Sequence, residues 1–231
     1  MSNHKSVAIL QSNYIPWKGY VDMMASVDEF IFYDEMQFTK SDWRNRNRIK
    51  TPQGLHWLSI PAGSSIQRRI CDVNVTDPRW ASRHWVTLEA NYRRSTCFEE
   101  VSEWLQPLYA SGLDNLSEIN QSLLQGVCTY LGITTRLSRS SQYLLEGDRT
   151  EKLVNLCKQA GATEYVTGGA ARAYIDEGLF TQEGIKLTYF DYAGYPAYPQ
   201  LWGDFVHEVS ILDLLFNCGP EAATYMKHVS K

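Results

Sequence analysis

Two apolar runs, Val7 to Leu10 and Glu29 to Tyr33, enclose one helical pattern, and each ends in polar residues. The first stops at Gln11-Ser12-Asn13-Tyr14. Pro16 then opens the helical stretch, because proline fits a first helical turn where its missing N–H is no loss. Trp17, Tyr20, Val21, Met24 and Val27 follow at the spacing of one apolar helix face. The second run closes at Asp34. Strand, helix and strand in so short a segment form a β-α-β unit, and in open parallel sheets ligands bind beyond the carboxyl ends of such strands. Gly19, inside the first helical turn, costs stability relative to alanine, so its gain is read as close approach of backbone or ligand.

After Asp34 the character changes. Met36 to Arg48 is polar and carries Thr39, Lys40, Trp43, Arg44, Asn45, Arg46 and Arg48. Arginine offers a planar fork to phosphate or carboxylate and asparagine reads neighbouring amides or hydroxyls, so this stretch is a candidate phosphate and ribose clamp. Ile49 to Thr51 and Leu55 to Ile60, split by Pro52-Gln53-Gly54, predict a small β-hairpin, and Ile70 to Val75 an edge strand. Asp77-Pro78 opens a helical region, and residues 78–131 are predicted to form an insertion of helices. His84 shares a face with Trp80 and Leu88; a histidine so placed is either a packed, hydrogen-bonded side chain or an acid–base group.

The last third returns to alternation. Thr134 to Arg139, a helix over Asp148 to Ala160, the strand Tyr165-Val166-Thr167 running into Gly168-Gly169, and a final strand Leu187 to Phe190 complete an α/β order. Two glycines between a strand end and a helix start let backbone N–H groups approach a phosphate or carboxylate. Asp191 to Trp202, rich in tyrosine and proline, has the composition of a lid or a partner surface. The expected architecture is therefore one α/β domain, residues 1–231, with a doubly wound, mostly parallel sheet, a helical middle insertion and a hairpin.

With 231 residues and 44% hydrophobic composition the chain can bury one full core. Its net charge of −4 makes a general nucleic-acid binder an unsuitable reading, because such a protein exchanges a basic surface for condensed counterions. The opening MSNHKSVAIL lacks the layout of a secretion signal and no stretch has the length of a membrane helix, so a cytoplasmic chain without a membrane span is expected. Cys71, Cys97, Cys128, Cys157 and Cys218 are scattered and never paired as C-x-x-C, which argues for reduced thiols and against a metal site. No P-loop, nucleophile elbow or zincin motif names a chemistry.

Four stretches, ILQSNYIPWKGYVDMM, YDEMQFTKSDWRNRNRIK, YVTGGAARAYI and SILDLLFNCG, together resemble the WbqC family over nearly the whole chain. Members are associated with bacterial O-antigen and other surface-polysaccharide (lipopolysaccharide) gene clusters. The resemblance implies work on a nucleotide-linked or lipid-linked sugar, with attachment of glycine or another small acyl group to an amino sugar. The order of elements also resembles the doubly wound, HUP-like fold of nucleotidylyltransferases and pantothenate synthetase. In that fold a first loop with H-x-G-H holds adenylate phosphates; here Pro16-Trp17-Lys18-Gly19-Tyr20 keeps the glycine and lacks both histidines.

Two functions from different classes follow. The first is an N-acyl or aminoacyl transferase, or a ligase, forming an amide on a nucleotide-linked amino sugar from glycine or an activated acyl donor; no cofactor is fixed, ATP is left open, and so is a homodimer. Such a reaction needs an anion clamp, a base and stacking surfaces. Lys40, Arg44, Arg46, Gly168 and Gly169 are the candidate clamp, with Lys40 and Arg44 neutralising charge on departing phosphates. Asp34 or His84 is the candidate base, and Trp17, Trp43 and Tyr195 the surfaces; Gln11, Asn13, Tyr14, Gly19, Tyr20, Thr39, Asn45 and Thr167 complete the substrate-binding set. The second function is a non-catalytic nucleotide-sugar or partner-binding module in the same pathway.

Overall fold

Four of the five residues of β1 (Ser6–Leu10) are buried, and its side chains divide between the two faces of a sheet: Ala8 packs into one apolar cluster, Val7 and Ile9 into another. A strand apolar on both faces belongs at the centre of a covered parallel sheet, and β1 takes that place. The computed structural model describes residues 4–229. It pairs β1 with β2 (Glu29–Phe32) and, on the other side, with β6 (Glu164–Gly168); β5 (Arg136–Arg139) and β7 (Lys186–Phe190) flank these in the order β5-β2-β1-β6-β7, and every pairing is parallel. Each strand coincides closely with a segment predicted from the apolar runs. The expected hairpin is β3 (Arg46–Thr51) against β4 (Gly54–Ser59), antiparallel and separate from the main sheet.

Helices cover both faces. α1 (Lys18–Ala25) and α7 (Ile211–Cys218) pack with Ala8, Phe30 and Val166; α5 (Arg149–Gln159) and α6 (Glu177–Gln182) pack with Val7, Ile31 and Tyr165. α2 (Trp80–Tyr92), α3 (Phe98–Tyr109) and α4 (Leu116–Tyr130) lie between β4 and β5 in sequence and extend the first cluster. Among the described residues no helix is long and apolar enough to cross a membrane.

Two local expectations are corrected. Ile70 to Val75 holds a turn of 3-10 helix at Ile70–Asp72 in place of an edge strand: Cys71 N–H donates to Asp34 O and Val75 N–H to Asp114 O, so the backbone is satisfied without a ladder. Asp77 does not cap α2; its carboxylate pairs with Arg79 (3.0 Å) and Arg83 (2.8 Å), and the helix starts at Trp80.

The order of strands reverses at the junction of β1 and β6: the chain steps outward through β2 and β5, then crosses back to β6 and continues to β7. Loops leaving neighbouring strands on opposite sides of such a junction diverge, and a crevice opens between them at the carboxyl edge. Gln11 and Asp34 follow β1 and β2, and Thr167 is the second-last residue of β6, so all three stand at that edge.

Candidate functional site: the cleft between β1 and β6

A cleft of about 860 Å³ occupies this crevice. Gln11 and Asn13 from the β1 loop, Trp17 and Tyr20 from the start of α1, Trp43 and Arg44 from the polar segment, and Thr167, Gly168 and Gly169 from the end of β6 line it. Further wall comes from Tyr33, Met36, Tyr174 and Tyr192, from the first turn of α5 with Arg149 and Lys152, and from apolar residues of β1, α5 and the segment after β6.

Arg44 organises the first loop. Its guanidinium donates to the Gln11 side-chain oxygen (3.0 Å) and to the Asn13 side-chain oxygen. Both amides are thereby fixed, and a guanidinium with five N–H groups keeps donors to spare. Ile15, at φ 35°, lies in the left-handed region that a β-branched residue rarely enters. The turn is held there from several sides: Asn47 donates to the carbonyls of Tyr14 and Ile15, Tyr14 N–H donates to Trp43 O, and Ile211 N–H donates to Pro16 O. Strain of this kind persists only where the surroundings over-determine it. Gly19 has a specific cause, since a Cβ there would lie 2.4 Å from the Trp17 indole. The glycine makes room for that ring on α1, so the close approach is by a side chain of the protein.

The insertion holds this loop from behind. The buried Asp34 carboxyl accepts from Ser12 N–H (2.7 Å), from the Ser117 hydroxyl and from Gln121 (3.1 Å), while Asn120 donates to Ser12 Oγ (3.2 Å) and Arg44 O (2.9 Å). Ser117, Asn120 and Gln121 all stand on α4. Asp34 thus joins the helix to the strand ends and is not among the residues lining the cleft.

Several other candidate residues are placed outside it. His84 is buried: its Nε2 faces Ser59 O at 3.2 Å, which only accepts, so Nε2 carries the proton and Nδ1 accepts from the Tyr14 hydroxyl at 2.8 Å. Tyr14 in turn accepts from Tyr109 at 2.6 Å. Burial pushes the His84 pKa down to about 4, partly opposed by the bond to Ser59. Tyr195 is buried with its hydroxyl on Asp22 (2.7 Å), and it is Tyr192 of the same loop that reaches the cleft, 5.5 Å from Trp17. Lys40 and Thr39 are exposed, the latter bonded to Asp42. Asn45 donates to Ile60 O, and the Arg46 guanidinium lies over Trp57 at 4.2 Å on the hairpin.

The His84 arrangement has a measurable consequence. Folding lowers this imidazole from 6.5 to about 4, so the unfolded chain takes up the proton first. The His84 contribution to stability is intact above about pH 6.5, falls as the pH drops towards 4 and then levels off, a loss of up to about 3 kcal/mol. Urea unfolding at pH 7, 5.5 and 4 should show a steeper decline for the native chain than for His84→Gln; parallel declines would contradict a neutral buried histidine.

Arg149 and Lys152 were not picked out from sequence, because the first turn of α5 reads as the solvent face of an ordinary amphipathic helix. The available signal was two cations at i and i+3, which share a helix face. The Arg149 guanidinium lies over the Tyr174 ring at 3.5 Å, and the Lys152 side chain has no hydrogen bond or ion pair among the described residues. With Arg44 they give the cleft three cationic side chains, and among the described residues no carboxylate or imidazole lines it.

The chain is similar over its length to the uncharacterized protein Rv1507c of Mycobacterium tuberculosis (strain ATCC 25618 / H37Rv), with 52% identity over 227 residues, 97% of this chain and 98% of that protein. No solved structure matches it. The model of the WbqC-like protein family matches residues 11–225, and the chain belongs to that family.

Proposed function

We propose that the cleft binds a nucleotide-linked amino sugar and that the protein forms an amide on its amine, transferring glycine or a similar small acyl group within bacterial surface-polysaccharide synthesis. One observation carries this reading: in a chain of net charge −4, the cleft at the strand-order reversal holds Arg44, Arg149 and Lys152 and no carboxylate. Such a surface suits a diphosphate, and the Trp17, Trp43 and Tyr192 rings at its walls suit a base or a sugar face. The strand order and the crevice support the comparison with the nucleotidylyltransferase type of fold, in which phosphates lie at the same edge.

The lining bears on the chemistry. An amine attacks an acyl carbon only after losing its proton, and neither Asp34 nor His84 reaches the cleft to take it. We therefore favour an amino sugar that enters as its free amine, its ammonium proton already left to solvent, and a donor that arrives activated. The C–N bond forms as the bond to the departing group breaks, that group carries off the proton shed by the amide nitrogen, and the cations stabilise its charge. Mass spectrometry should show the amino-sugar product heavier by one glycyl or similar group only when an activated donor is supplied. Pyrophosphate release from ATP and glycine alone would overturn that order of events. The same lack of a base favours a second reading, a nucleotide-sugar-binding module without turnover; tight binding with no product from any donor would select it.

A further inference from the structure

A smaller pocket of about 250 Å³ adjoins the cleft and shares three lining residues with it, Asn13, Trp17 and Trp43. Beyond that shared wall it is lined by Pro16, Asn47, Arg48 and Glu208. The two charges are opposite, face one small space and do not pair with each other. Among the described residues Glu208 has no hydrogen bond or ion pair at all, and the Arg48 guanidinium has only aromatic neighbours, Trp57 at 5.5 Å and Trp43 at 6.0 Å, its buried Nε lacking any acceptor.

A desolvated donor without an acceptor costs free energy that a bound anion recovers, and the exposed, unpaired Glu208 carboxylate beside it attracts a cation. We propose that this pocket is a second subsite, for a small molecule carrying an ammonium close to an anionic oxygen: an α-amino acid, free or as its acyl phosphate. Arg48 takes the carboxylate or phosphate oxygen, Glu208 takes the ammonium, and the Trp17 and Trp43 faces bound the space for the carbon atoms. A purely anionic ligand leaves Glu208 opposed and a purely cationic one leaves Arg48 opposed, so both charges are needed on one molecule. The pocket and the cleft have Asn13, Trp17 and Trp43 as a common wall, so an amino acid held in one lies next to the wall that bounds a sugar held in the other. That role rests on the amide-forming reading given above; the binding itself does not.

The test is calorimetric titration of the full chain with glycine, aminomethylphosphonate, acetate, methylammonium and glucosamine, with uridine diphosphate as the probe of the main cleft. Glycine or aminomethylphosphonate should bind, the stronger of the two showing whether a carboxylate or a phosphate is preferred, and acetate, methylammonium and glucosamine should bind about tenfold or more weakly. Glu208→Gln, at an exposed position, should weaken binding of the zwitterion by a similar factor and leave that of uridine diphosphate unchanged. Equal binding of acetate or glucosamine, no binding of either zwitterion, or an unchanged Glu208→Gln would overturn the proposal. Failure of uridine diphosphate to bind, with glycine still bound, would instead remove the amide-forming reading and leave the subsite standing.

Discussion

Replacing Arg149 and Lys152 together by alanine is expected to weaken binding of a nucleoside diphosphate sugar by about two orders of magnitude or more, since each charge-assisted hydrogen bond to phosphate contributes on the order of 1.5–3 kcal/mol. Stability should hardly move. Arg149 is exposed, Lys152 is half-buried without a polar partner among the described residues, and substitutions at such positions shift unfolding free energy by about half a kcal/mol. Quenching of tryptophan fluorescence measures the binding, because Trp17 and Trp43 line the same cleft. If the double variant binds as well as the native chain, phosphate does not lie on that wall. Ionic strength gives a second check: salt should weaken the native complex more than the residual binding of the variant, because fewer screened contacts remain.

The second large effect falls on stability. Asp34→Ala leaves the Ser12 N–H, the Ser117 hydroxyl and the Gln121 amide without their shared acceptor in a buried site, a loss on the order of 3 kcal/mol, because each buried donor left unsatisfied costs roughly 1–3 kcal/mol. Unfolding by urea should show it directly. Ligand binding should fall in step with the folded fraction and recover when a saturating ligand restores folding. A general base at this position makes the opposite forecast, full stability with turnover gone. The two outcomes separate the role read from sequence from the one its hydrogen bonds describe.

Much of the frame was legible. The strands came from apolar runs ended by polar residues, and the edge of the sheet that carries the cleft came from the β-α-β order, because right-handed crossovers bring parallel strand ends to one side. Gln11 and Thr167, at the ends of β1 and β6, were placed near one another on that basis, while Arg44 was singled out by the polar, arginine-rich run that carries it. Asp34 could not be assigned: a carboxyl just past a strand reads the same whether it faces a ligand or a backbone N–H twenty-two residues upstream, and its partners Ser117 and Gln121 lie far along the chain. His84 failed for the same reason, with its partners Tyr14 and Ser59 on other elements. Arg149 and Lys152 were hidden by their ordinary helical setting, since which solvent-facing side of a helix looks across a crevice is fixed only when β6 docks beside β1.

That docking sets the order in which the molecule comes into being. β1 meets β2 after a short loop and helix, but its other neighbour, β6, begins at Glu164, about 150 residues later. A growing chain therefore carries β1 with one ladder edge bare throughout synthesis of the hairpin and the insertion helices. Contacts this distant in sequence are slow to close, and an unpaired apolar strand is a template for association with other chains. Both walls of the cleft exist only once this distant seam is joined, so refolding followed by ligand-dependent tryptophan quenching should lag behind the recovery of helical circular dichroism, and truncation before Glu164 should leave a chain prone to aggregate.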